Sequence, residues 1–187
     1  YLIFFILIFN TSLHTHEIKP SIMDITILDG KASIEFKLNA ETVLSGIDAS
    51  LYDDTNNSPQ FQKYDEFRAL SAKEIERLVK EGDFNFLDKI KILSGNQNKE
   101  VVLDKVETFE EENSELPRDT ILDLDLELID NSFSIQFDKK LGPVVIRQFE
   151  DLSKESVLFT TYLQPAEKSP LLTNQSRSTP GKIIIEY

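Results

Sequence analysis

The chain has 187 residues, of which 33 are acidic and 20 basic, giving a net charge of −13 at neutral pH, and it contains no cysteine. Such an acidic excess argues against a nucleic-acid backbone as ligand, since that needs clustered Lys and Arg, and it disfavours an anionic lipid surface. Folding without disulfides relies on packing alone, a habit that suits a bacterial extracytoplasmic domain.

Nine apolar residues, Tyr1 to Phe9, open the chain and lead to His14-Thr15-His16-Glu17, which holds its two histidines. The run is too short to span a bilayer, which takes about 20 apolar residues. It reads instead as the core of an export signal cut after Thr15; a buried strand or a membrane-anchoring stub is the competing reading. No Met begins the chain and no basic residue precedes the run, so a sequence truncated at its start is expected. Residues 16–187 are then expected to form one extracytoplasmic domain.

A two-residue period follows. Ile25 and Ile27 lead to Asp29-Gly30, a dipeptide suited to a type I′ hairpin turn, and Ala32, Ile34, Phe36 and Leu38 then alternate with Ser33, Glu35 and Lys37. From residue 41 to 82 the period becomes helical. Glu41 to Ile47 predicts a short helix. Ser58-Pro59 predicts a helix start with Pro in the first position, followed by Phe61, Tyr64 and Phe67. Ser71 and Glu74 form a capping box ahead of Ile75, Leu78 and Val79, with Gly82 as the stop.

Strand spacing returns at Ile90 and Ile92, which predict a hairpin through Ser94 to Asn98 with Val101 and Leu103 on the return strand. Glu110-Glu111-Glu112 predicts a solvated loop. Leu122, Leu124, Leu126 and Leu128 alternate with Asp123, Asp125 and Glu127, and after Asp130-Asn131 a return strand carries Phe133, Ile135 and Phe137. Two more strands are expected, Val157 to Leu163 and Lys182 to Tyr187, separated by the polar loop from Pro165 to Pro180. The last reaches the final residue, so the chain is expected to be cut at that end too. The fold class these elements predict is mainly β: an antiparallel, immunoglobulin-like β-sandwich with a helical insertion around residues 41–82.

Enzyme constellations are scarce. The chain has no cysteine nucleophile, no Gly-rich phosphate loop, no nucleophile elbow, and no histidine beyond His16. Asp123, Asp125 and Glu127 read as a solvated strand face whose carboxyl groups need not shift in pKa. Asp53 to Ser58 is oxygen-rich but lacks the mid-loop Gly and closing Glu of a calcium loop, so a capped turn explains it better. No catalytic residue is assigned.

The candidate metal ligands are His16, Glu17 and His14. If processing exposes His16, its amine and imidazole nitrogen can chelate one divalent ion in a small ring that suits Cu(II) or Ni(II), with Glu17 assisting or orienting the ring. The alternative is that His16 begins the first strand.

His16-Glu17-Ile18-Lys19-Pro20-Ser21 resembles the mature start, His-Glu-(Ile/Val)-Arg-Pro-Ala, of the extracytoplasmic N-terminal region in bacterial HupE/UreJ-like membrane proteins. The resemblance continues in Leu44 to Asp48, Tyr64 to Leu70, Leu116 to Asp119 and Gly142 to Gln148. It implies a periplasmic domain followed by transmembrane helices, its partner in a family associated with nickel or cobalt uptake. Those helices carry the family's intramembrane His and Asp motif, so no transport residue carries over to this chain. Lys19 and Ser21 depart from the family's Arg and Ala. The implied role is collection or transfer of a divalent ion such as Ni(II), Co(II) or Cu(II) at the periplasmic face of the inner membrane. The alternative is a module that binds protein or glycan without metal.

Overall fold

Asp29 (φ 48°) and Gly30 (φ 80°) both adopt the left-handed backbone that a type I′ turn demands. They join β1 (Ser21–Leu28) to β2 (Lys31–Leu38) in antiparallel register, with Leu28 opposite Lys31. The computed structural model describes residues 17–81, 86–95, 97–111, 113 and 116–174. The export-signal segment with His14 and His16, the helix stop Gly82 and the Lys182 to Tyr187 strand lie outside these residues.

The helical insertion follows β2. In α1 (Ala40–Ser45) the Asn39 side chain caps the first turn by accepting from the Thr42 amide at 2.7 Å, and Gly46 (φ 81°) closes the helix. The next helix, α2 (Phe61–Arg68), begins two residues after Pro59, not at it. Ser58 is occupied in a turn, where its hydroxyl accepts from the Gln60 amide, so the chain becomes helical only beyond that turn. In α3 (Ala72–Glu81) the expected capping box is formed: the Glu74 carboxylate accepts from the Ser71 amide at 2.8 Å and from its hydroxyl at 2.7 Å.

The remaining strands are β3 (Ile90–Ser94), β4 (Gln97–Lys99), β5 (Val102–Thr108), β6 (Thr120–Glu127), β7 (Ser132–Phe137), β8 (Val144–Phe149), β9 (Val157–Leu163) and β10 (Leu172–Thr173). Among the described residues they form a six-stranded sheet in the order β5-β6-β2-β1-β8-β9 and a four-stranded sheet in the order β10-β7-β3-β4. The fold is mainly β. Apolar residues from both sheets meet in one core, where the Phe36 ring of the larger sheet stacks on Phe137 of the smaller at 5.5 Å between centroids.

Three pairings correct the expected arrangement. The sheets are not wholly antiparallel, because β1 runs parallel to β8, with Met23 opposite Ile146. The two strands are separated by most of the chain, and a long crossover lets them run in the same direction. Asp130-Asn131 does not close a hairpin: β6 already has β2 and β5 as neighbours, and β7 pairs with β3 and β10 in the other sheet. Leu122, Leu124 and Leu126 therefore face Phe133, Ile135 and Phe137 across the core. Finally, β3 turns back at once into β4, with Ser94 opposite Gln97, and the chain then crosses sheets so that Leu103 pairs with Leu124.

Candidate functional site

One end of the larger sheet gathers the start of β1, the end of β2 and the start of β6, and the helical insertion packs there. Between them opens a small cleft of about 40 Å³, lined by Glu17 to Pro20, Lys37 to Asn39, Thr42, Thr55, Tyr64, Pro117 and Asp119. At its rim the Lys37 ammonium donates to Asp119 at 3.1 Å. Thr55, deep in the wall, has a buried hydroxyl with no hydrogen-bond partner.

Of the candidate ligands, Glu17 is the described one. It is exposed and forms an isolated antiparallel bridge with Asp54, while the Ile18 amide donates to the Asp53 carbonyl at 2.8 Å. The oxygen-rich stretch beside it is a capped turn: the Asp54 carboxylate accepts from the Asn56 amide at 2.8 Å at the head of a single 3-10 turn, Thr55–Asn57. Among the described residues, no three His, Asp or Glu side chains cluster as a metal-holding group.

Beneath the cleft lies a buried ion cluster. Glu41 on α1 is fully buried, and its Oε1 accepts from Arg118 Nε at 2.6 Å, while Arg68 of α2 approaches the same oxygen at 3.6 Å. The Arg118 guanidinium also donates to the carbonyls of Leu70 at 2.7 Å and Phe67 at 3.1 Å, which fastens the α2–α3 junction to the strand β6 that follows. The other Glu41 oxygen has no hydrogen-bond partner. Beside this cluster Tyr64 is 1% exposed, and burial, reinforced by the Glu41 carboxylate, pushes its hydroxyl up to about 12. The group is a structural clamp, since the Arg118 guanidinium is spent on one Glu41 oxygen and on two backbone carbonyls.

Three of the five segments of the resemblance supply residues to the cleft. Glu17 to Pro20, Tyr64, Pro117 and Asp119 line the cleft. Arg118 ties the Tyr64 to Leu70 helix down. Gly46 closes α1, and Ala49 just beyond donates to the Lys140 carbonyl at 3.1 Å, next to Gly142. The Ser21 amide donates to the Pro143 carbonyl at 3.2 Å.

A second charged cluster covers the outer face of the larger sheet. Arg147 on β8 grips Asp24 on β1 through two bonds, of 2.6 and 2.8 Å, and Lys154 bridges Glu35 at 2.7 Å and Asp24 at 3.5 Å. Asp123 on this face is held above the ordinary carboxylate range, by partial burial first and by the Glu35 carboxylate next. It is therefore not the unperturbed solvated group that its strand position suggested. Asp24 and Glu41 both went unmarked in the sequence as buried charges. A lone acid inside an apolar β run was the available signal for Asp24.

No protein-family model matches the chain, and no curated protein matches it.

Proposed function

We propose that the chain is the non-catalytic, extracytoplasmic domain of a HupE/UreJ-like membrane protein, with an immunoglobulin-like β-sandwich fold, exported to the periplasmic face of the inner membrane. Its role is to collect a divalent ion, nickel, cobalt or copper, as cargo at its N-terminal edge and pass it to the membrane part of the same protein. The observation carrying this reading is that three of the five separated stretches behind the resemblance line one cleft, which Glu17 borders, and a fourth is tied to the first by the hydrogen bond from the Ser21 amide to the Pro143 carbonyl. Glu17 is bonded to His16, so cleavage after Thr15 would set a free amine, an imidazole and a carboxylate side by side in sequence. The acidic surplus of the chain adds long-range attraction for cations.

Calorimetric titration of a chain beginning at His16 tests the ligand. One Cu(II) or Ni(II) ion should bind, and His16→Ala should abolish it; equal binding by that variant overturns the metal role. Reading the gene past Tyr187 tests the architecture: several apolar segments of about 20 residues are expected, and an immediate stop codon refutes the reading.

A further inference from the structure

An open strand edge invites another strand, because its outward amide and carbonyl groups are unpaired, and natural sheets blunt such edges with charge, Pro, bulges or shortness. Three of the four described sheet edges here are blunted. β5 carries Asp104, Lys105 and Glu107 and a register shift between Leu103 and Lys105. β4 has three residues and ends in Lys99, and β10 has only two, just after Pro170.

The fourth edge is different. β9 runs Val157-Leu158-Phe159-Thr160-Thr161-Tyr162-Leu163, without a charge, Pro or Gly, and its irregular pairing is confined to its start, opposite Phe149. From Phe159 to Leu163 it is a regular strand on β8, and among the described residues no backbone hydrogen bond reaches its other side. Val157 and Tyr162 are each about half exposed there.

We propose that this edge pairs antiparallel with β9 of a second copy of the chain, about a two-fold axis through Thr160. The argument for a second copy is self-complementarity. With Thr160 opposite itself, Leu158 faces Tyr162 and Phe159 faces Thr161, the aliphatic–aromatic and aromatic–β-branched pairs that stabilise sheets. The nearest charged residue on the N-terminal side, Glu155, falls opposite Pro165, so no like charges meet along the ladder. A two-fold contact of this kind closes on itself, giving a dimer with one continuous sheet instead of an open fibre. The two chains of charge −13 repel over longer distances, so pairing strengthens as salt screens that repulsion.

The absence of cysteine supplies a clean background for the test. Full-length chains carrying Leu158→Cys, Thr160→Cys or Tyr162→Cys, and Val102→Cys on the exposed part of β5 as control, are oxidised mildly and their covalent dimers counted. Directly opposed residues in an antiparallel pair have Cα atoms about 4.5–5.5 Å apart, within disulfide reach, whereas diagonal ones do not align as well. Thr160→Cys alone should crosslink roughly tenfold faster than each of the other three, and faster still at higher ionic strength. A mixture of Leu158→Cys and Tyr162→Cys chains should crosslink as a heterodimer of the two variants. The proposal is overturned if Val102→Cys crosslinks equally, if Thr160→Cys shows no preference, if the mixture does not crosslink, or if the captured species is another protein.

Discussion

Replacing Arg118 by Met should be among the most damaging single changes outside the apolar core. The guanidinium is 3% exposed and its partner Glu41 carboxylate 0%, so removing it strands a carboxylate in the interior. One oxygen of Glu41 has no hydrogen-bond partner to begin with, and the other would retain only Arg68 at 3.6 Å. The Leu70 carbonyl loses its Arg118 donor as well, but it is partly buried and can take up water, while the Phe67 carbonyl keeps the Leu70 amide at 3.1 Å. The stranded charge therefore sets the scale, at about 3–5 kcal/mol. Against a domain stability of about 5–15 kcal/mol this is a loss of a fifth or more. Urea unfolding followed by circular dichroism reads it as a fall in midpoint at unchanged slope. The double variant Glu41→Met/Arg118→Met should recover most of the loss, since an apolar pair of similar volume replaces the buried ions. A loss below about 1 kcal/mol for Arg118→Met, or a double variant as unstable as the two single losses added, would refute the reasoning.

Two further predictions concern the sheet face and the β7–β8 connection. Asp123 titrates higher in the folded chain than when unfolded, so the folded state binds its proton more readily and ionisation costs stability. Asp123→Asn should therefore raise the melting temperature at neutral pH, by an amount that shrinks as pH falls through the carboxylate range; a lower melting temperature at neutral pH contradicts this. Gly142 sits at φ 73°, ψ −159°, a region open to glycine, and a Cβ there would lie 2.9 Å from the Ala49 Cβ and 3.1 Å from the Ala49 carbonyl oxygen. Gly142→Ala should cost about 1–3 kcal/mol from backbone strain before the clash is counted. Adding Ala49→Gly should relieve part of the loss, and an unchanged thermal melt for Gly142→Ala would refute the account.

Local features were legible in the sequence where a short-range rule decides them. Asp29-Gly30 specifies its turn through positive φ, and Ser71 with Glu74 specifies its cap through side-chain hydrogen bonds, so neither depends on the rest of the fold. Strand partners were not legible, because alternation says which side of a strand is apolar and not which strand lies beside it. Leu122 to Leu126 and Phe133 to Phe137 look like two arms of a hairpin and are opposite walls of one core. The clamp was hidden for a related reason. An acid in the first turn of a helix is favoured wherever the helix lies, so Glu41 read as ordinary, and its partner is 77 residues away. Of the candidate ligands, Glu17 lies beside the cleft, whereas His14 and His16 fall outside the described residues.

The parallel pairing of β1 with β8 bears on how the chain reaches its fold. β1 and β2 are joined by two residues, so their hairpin can close within microseconds and independently of everything downstream. The other side of β1 must wait for residues as distant as Arg147, 123 positions beyond Asp24, and closing so large a loop delays the reward of the contact. Until then β1, the strand that carries Met23, Ile25 and Ile27 into the core, is itself a bare edge. Pairing with β8 therefore completes the larger sheet and at the same moment withdraws that bare edge from solvent.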